Sequence, residues 1–415
     1  MQTVETVQTP VAAAPFSDAF LADPHPTYAR LREEAPAARV RLPNGIQVWL
    51  VTRYDDVRSG LTDPRLRNDR SAALPDLRPF GGVAEADAPA TTTMLDHDPP
   101  VHTRLRRFVS PAFTPAAVEA FRPRLKAIAG GLLDQLAGWD TFDVVEDFAV
   151  PFIWRATAEV LGVDAGEQAR FRRWSTEIAG KLLGRDDDQL DLPVRELHAL
   201  VRELVQTKRA RLGNDLFSRL IRGRDEGELT ETELVAMAQL LLVAGQEGPV
   251  NSIATGIFLL LRQPGVRAEL QRNPALLPGA VEEILRLEAP LGLSVIRWAT
   301  EPVTFSGVTI PAGEPIMFSL LSTGRDPRRF ACPDRLDPGR SEGHHLAFGW
   351  GAHFCLGAAL GRAEVQTAIA ALLDRFPELE LATAQNEPTW RPSVLGRGLR
   401  RLPVRARALA ERRTP

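Results

Sequence analysis

Cysteine is scarce in this sequence: of 415 residues only Cys332 and Cys355 carry a thiol. Two cysteines allow at most one disulfide, so a cross-linked secreted framework is excluded, and the pattern is that of a reduced protein keeping a cysteine for chemistry. An excess of either charge is missing too. The formal net charge of −3 argues against a nucleic-acid or anionic-membrane partner. Long apolar runs are absent: Leu240 to Ala244 and Gly256 to Leu261 fall well short of the roughly 18 residues that span a bilayer. The first twenty residues contain Glu5 and no cationic start, so no export signal is expected and the protein should be free in the cytosol. No Ser/Gly-rich or charge-rich linker divides the chain. One large domain is therefore expected over 16–415, although length alone would allow two or three.

What is present describes an ordinary globular protein, 44% hydrophobic and 25% charged. Residues 1–15 are polar and without period, and read as a mobile terminus. A short helix follows Pro24 and Pro26. Two β-rich runs flank Asn44-Gly45, the signature of a hairpin, and Tyr54 opens a further helix. Residues 68–93 form a long loop, uncommon in a compact domain unless it has a function such as a lid. Amphipathic helices are expected at 116–136, 151–161, 166–183 and 193–211, with an acidic loop at 185–193. Thr230 and Glu233 make a capping box, and helical periodicity continues to about Arg262, giving a helix of roughly 45 to 50 Å. Beyond Pro290, alternating β-branched residues predict a small sheet, and 389–404 reads as a terminal hairpin. Eight arginines between Trp390 and Arg413 form a basic edge, either solvated or a docking face for an acidic redox protein.

Three groups of residues carry candidate chemistry. The first is Phe348-Gly349-Trp350-Gly351-Ala352-His353-Phe354-Cys355-Leu356-Gly357. A cysteine here sits in a glycine-punctuated loop that opens a helix, where helix N-terminal N–H groups stabilise a thiolate ligand. The second is His102 and Arg106, four apart behind Pro99-Pro100, so both can face one anion. The third is Glu283 and Arg286, three apart on a helix and able to pair.

Taken together, and by their order along the chain (His102/Arg106, then Glu283/Arg286, then the Cys355 loop), these motifs resemble those of the cytochrome P450 family, of the bacterial ferredoxin-dependent type. The resemblance covers about residues 16–405. It implies a mainly α fold with a smaller β region, haem b lying between the long central helix and the helix after Cys355, and Cys355 as the axial ligand of its iron. By the same resemblance Phe348, Gly349, His353 and Gly357 shape the ligand loop, while His102, Arg106, Arg297 and His353 meet the haem propionates. Glu283 and Arg286 become a buried pair behind that loop, completed by Arg335 or Arg340. Ala244-Gly245-Gln246-Glu247 matches the start of the family's oxygen-binding signature. The sequence departs from the signature at the next position, where Gly248 and Pro249 replace the usual threonine. Pro249 lacks an N–H and its ring presses on the Gly245 carbonyl, at a cost of roughly 3 kcal/mol in a regular helix, so an opened or kinked turn is expected there. Ala244, Gly245, Glu247 and Gly248 are thus the candidate catalytic turn, with protons arriving through ordered water or a substrate hydroxyl. Val243, Leu293, Ser294, Val295 and Ile296 would line the substrate pocket, which suggests a largely apolar small molecule, such as a secondary-metabolite intermediate.

The activity implied is a haem-thiolate monooxygenase, a monomer taking electrons from NAD(P)H through a reductase and a ferredoxin-like partner. A peroxide-driven oxygenase and a non-catalytic haem sensor or sequestering protein are the alternatives the missing threonine leaves open.

Overall fold

The computed structural model describes residues 15–72, 93–163, 191–382 and 388–406. Residues 1–14 of the expected mobile terminus at 1–15, most of the 68–93 loop, the 166–183 helix, residues 185–190 of the acidic loop expected at 185–193 and residues 407–415 lie outside the described residues; the end of that loop, from Asp191, is instead the start of the helix Asp191–Arg209.

The chain packs as helices against a small β region. Phe16, where the domain was expected to begin, is buried against Phe20. The hairpin about Asn44-Gly45 is present: β1 (Ala37–Arg41) and β2 (Gln47–Val51) pair antiparallel with Ala37 opposite Val51. Gly45 supplies the left-handed φ of +86° that the turn requires. With β3 (Leu66–Arg67), β5 (Arg297–Ala299) and β8 (Pro315–Phe318) they make a five-stranded sheet of order β1-β2-β8-β5-β3. The strands β6 (Val303–Phe305) and β7 (Val308–Ile310) form a separate ribbon. β4 (Thr141–Asp143) and β9 (Glu380–Leu381) flank β10 (Pro403–Arg405), joining both ends of the helical layer.

The central helix, Glu231–Arg262, has the capping box anticipated at Thr230 and Glu233 and runs 32 residues, about 48 Å. It stays helical through Gly248 and Pro249, so the opening expected there is not a break. What Pro249 removes is one amide donor, that of the Gly245 carbonyl. Burial of Val250, Ile253, Ala254, Ile257 and Leu260 offsets that loss by holding the C-terminal half in the main core. Gly256 lies where this helix meets the helix after the cysteine, Ala358–Arg375: a Cβ there would come within 2.9 Å of Ile369. At the other end of the central helix Leu241 and Leu242 belong to a second apolar cluster, and Leu356, the neighbour of Cys355, packs on it.

Candidate active site

Cys355 stands in a loop whose shape is set by its own backbone. Its N–H donates to the Phe348 carbonyl at 2.8 Å, and its carbonyl accepts from the Ala358 N–H at the start of the following helix. Gly349 and Gly351 both take left-handed φ values, +70° and +77°. Gly351 also lies so close to Leu61 and Thr62 that a Cβ would meet them at 3.1 and 2.9 Å. The thiol is accessible but lies in a recess rather than on the outer surface: burial pushes its pKa up, while the Gly357 N–H, Arg106 and Arg362 pull it down. Arg362 stacks over Phe348, 4.4 Å from the ring centre, and pairs with both carboxylate oxygens of Glu282.

Above the loop, the helix Val101–Val109 brings His102 against His353 with ring centres 4.2 Å apart. Among the described residues all four of their nitrogens are buried and lack a hydrogen-bond partner, and so does Nε of the nearby Arg297. Burial pushes His353 down to about 3, helped by His102, Arg297 and Arg106, and depresses His102 in the same direction. Arg297 is likewise depressed by burial, with Asp98 as the opposing charge. Buried donors left unsatisfied are costly and call for a partner. Three cation-capable side chains converging this way fit a ligand that carries carboxylates. The Arg106 guanidinium donates to the carbonyls of Ala352 (3.2 Å) and Phe354 (2.7 Å), so it braces the cysteine loop.

Behind the loop, Arg286 and Glu283 form a buried bidentate pair, Nε to Oε1 2.6 Å and Nη2 to Oε2 2.8 Å. The choice between the two candidate third partners falls to Arg340, whose Nε donates to Glu283 Oε2 at 3.0 Å. Arg335 contributes only its carbonyl, to Arg286 Nη2.

On the opposite side of the recess the expected pocket residues divide. Val243 (42% exposed) and Val295 (45%) present their side chains, whereas Leu293 and Ser294 are buried. Leu293 joins the core, and the Ser294 hydroxyl accepts from the Phe318 N–H as the segment pairs onto β8. Ile296 is half-buried against the core. Two residues not anticipated take their place, Leu291 (44%) and Leu395 (46%). A bridge between Leu291 and Gly396, and a Gly292 N–H to Leu395 carbonyl bond of 2.7 Å, hold them together. Pro290 reaches the central helix at Gly248, where a Cβ would find only Pro290 Cγ at 4.0 Å. The only signal in the sequence was the glycine of the terminal hairpin, Gly396, which marks a close approach.

At the catalytic turn Ala244 is exposed, and Gly245 and Gly248 are half-buried. No side-chain hydroxyl replaces the family's alcohol at 248; Ser252, one turn on, donates its hydroxyl to the Gly248 carbonyl at 2.9 Å. Glu247 is half-buried, and its carboxyl is pushed up by burial, with Arg391 and Asn251 acting against it. The basic edge is partly spent inside the protein: Arg397 is buried, pairs with Glu288 and stacks on Trp390.

A family model described as Cytochrome P450 matches residues 183–401. The chain belongs to the cytochrome P450 family. Cytochrome P450 monooxygenase PikC of Streptomyces venezuelae is 43% identical over 94% of this chain and 92% of its own length. The 6-deoxyerythronolide B hydroxylase of Saccharopolyspora erythraea is 40% identical over 94% and 97%. Among solved structures, the tirandamycin C-bound P450 monooxygenase TamI superposes with a TM-score of 0.86 at 40% identity, covering 94% of this chain and 99% of that one. This P450 is therefore a haem-thiolate enzyme of the monooxygenase type. The residues present fit haem: the orphaned nitrogens of His102, His353 and Arg297 suit its carboxylates, and a Cβ at Gly357 would face open space. Among the described residues no helix is long and apolar enough to cross a membrane.

Proposed function

We propose that this P450 oxidises a largely apolar small molecule, an intermediate of secondary metabolism, with electrons relayed from NAD(P)H through a reductase and a ferredoxin-like partner. The observation that carries the substrate class is the exposure of Val243, Leu291, Val295 and Leu395 around the catalytic turn, since apolar side chains without cover mark a ligand surface. Relatives with names such as 6-deoxyerythronolide B hydroxylase support the metabolic context. When bound, haem with a thiolate ligand supplies the activation of dioxygen. In this reading Cys355 holds the iron, His102, His353 and Arg297 hold the propionates, and Arg106 keeps the ligand loop in place. The apolar wall excludes water and orients substrate over the ring. Protons at the catalytic turn come by way of water on the Gly245 carbonyl, which Pro249 leaves without an amide donor, or from a hydroxyl of the substrate.

Two measurements test this. The reduced, CO-bound protein shows the thiolate-type Soret band and Cys355→Ala loses it; a histidine-type band in the wild type would sink the ligand assignment. Spectral titration of apolar and polar metabolites, followed by turnover with a ferredoxin system, yields low-spin to high-spin shifts and products with apolar compounds. Binding restricted to polar or anionic compounds would overturn the substrate class.

A further inference from the structure

Glu247 belongs to the catalytic turn by sequence, yet its carboxyl is directed elsewhere. A Cβ on Gly396 would lie 2.1 Å from Glu247 Oε1, inside the space the carboxyl fills. One turn on, Asn251 stands in the same relation to Gly398, with Oδ1 2.0 Å from the position of a Cβ. Two side chains four apart on the central helix thus seat in two glycine notches two apart on the C-terminal hairpin, matching the period of a helix face to that of a strand. The hairpin is fixed on its outer side, where Arg391 N–H donates to the Gly398 carbonyl at 2.9 Å and Arg397 N–H to the Pro290 carbonyl at 2.9 Å. Its turn is held by the Gly396 N–H on Ser393 Oγ, 3.0 Å, by the Ser393 N–H on the Arg391 carbonyl, 3.0 Å, and by the pairing of Leu395 and Gly396 with Gly292 and Leu291. That turn carries Leu395, whose side chain together with Leu291 forms the exposed wall described above.

We propose that Glu247 is a positioning residue for the substrate wall: its carboxyl fills the Gly396 notch and thereby sets how far the Leu395 turn stands into the cavity. The central helix is packed into the core on either side of this turn, so a group added at Gly396 pushes on the Glu247 carboxyl and on the Ser393 side of the hairpin turn, and not on the helix backbone. The ligands that sense this are extended apolar ones reaching from the iron to the wall; a small ligand at the iron is indifferent. The inference rests on the P450 reading of the site.

The test is a double-mutant cycle on the haem-loaded full chain, using two azoles that bind iron and shift the Soret band. Imidazole is too short to reach the wall, and 4-phenylimidazole extends toward it. Gly396→Ala is expected to weaken 4-phenylimidazole about tenfold and leave imidazole within twofold. In a Glu247→Ala background, where the notch is vacated, the same Gly396→Ala step should change neither by more than twofold. An equal loss of 4-phenylimidazole affinity in both backgrounds, or an equal loss for both azoles, overturns the proposal. If Gly396→Ala alone does not retain haem, recovery of haem loading in Glu247→Ala/Gly396→Ala supports it and continued failure overturns it. Absence of any azole shift in the wild type overturns the haem reading itself, and the proposal with it.

Discussion

The rings of His102 and His353 meet at 4.2 Å with all four nitrogens buried and, among the described residues, without a hydrogen-bond partner. One comes from the helix behind Pro99-Pro100 and the other from the cysteine loop, 251 positions apart in number (353 − 102). A charged hydrogen bond to a buried group is worth about 1.5–3 kcal/mol. His102→Ala should therefore speed haem loss by roughly tenfold to a hundredfold, measured as transfer to apomyoglobin, with the thiolate-type Soret position unchanged. An unaltered transfer rate would remove His102 from the anchoring set.

Arg340 completes a buried three-residue charge group whose acid is Glu283 and whose first partner is Arg286. Removing one member leaves an uncompensated buried charge, a cost of about 3–5 kcal/mol. Glu283→Gln is expected to reduce stability by that order in denaturant titration and to lower haem content. Arg335→Ala, which keeps its backbone carbonyl on Arg286, should change stability by less than about 1 kcal/mol.

Position 248 has room for a side chain among the described residues, where a Cβ meets only Pro290 Cγ at 4.0 Å. Gly248→Thr should fold without penalty, because glycine inside a helix is itself unfavourable by about 0.5–1 kcal/mol relative to alanine. With the hydroxyl restored, peroxide released per NAD(P)H consumed is expected to fall at least about twofold, as general acid–base groups typically contribute more than that. An unchanged peroxide yield would show that Gly248 has no special part in proton supply.

Glu364, on the helix after Cys355, is fully buried and has no ion pair or hydrogen bond among the described residues; burial pushes its carboxyl up to about 8. A raised folded-state value means that the folded protein keeps this proton while the unfolded chain releases it near pH 4.5. Its contribution is then fully present below about pH 4.5 and is lost as pH rises towards 8. Glu364→Gln, which cannot ionise, should therefore gain on the wild type from pH 5 to pH 8 by on the order of a few kcal/mol, then level off. Denaturant midpoints at pH 5, 6.5 and 8 check this, and a constant difference across the three would rule out titration of Glu364.

Much of this molecule was legible in the chain because local chemistry wrote it. The capping box at Thr230, the turn at Asn44-Gly45, the cysteine at the mouth of a helix and the i, i+3 pair Glu283/Arg286 are short-range features, and each appears where the sequence put it. Pairings between distant segments were not so written. That Arg340 rather than Arg335 reaches Glu283 depends on how the loop from 331 to 343 folds back. That Leu291 and Leu395 line the cavity while Leu293 and Ser294 do not depends on how the 291–296 segment pairs with β8 and the C-terminal turn, because one residue of register reverses every side chain. That Arg106 reaches two carbonyls of the cysteine loop depends on the helix carrying it being laid across that loop. The sequence by itself thus determined the family and the capped central helix. Tertiary structure alone decided which side chains face the cavity, and it turned Glu247 from the catalytic turn into the notch at Gly396, since only folding brings those two residues within reach of each other.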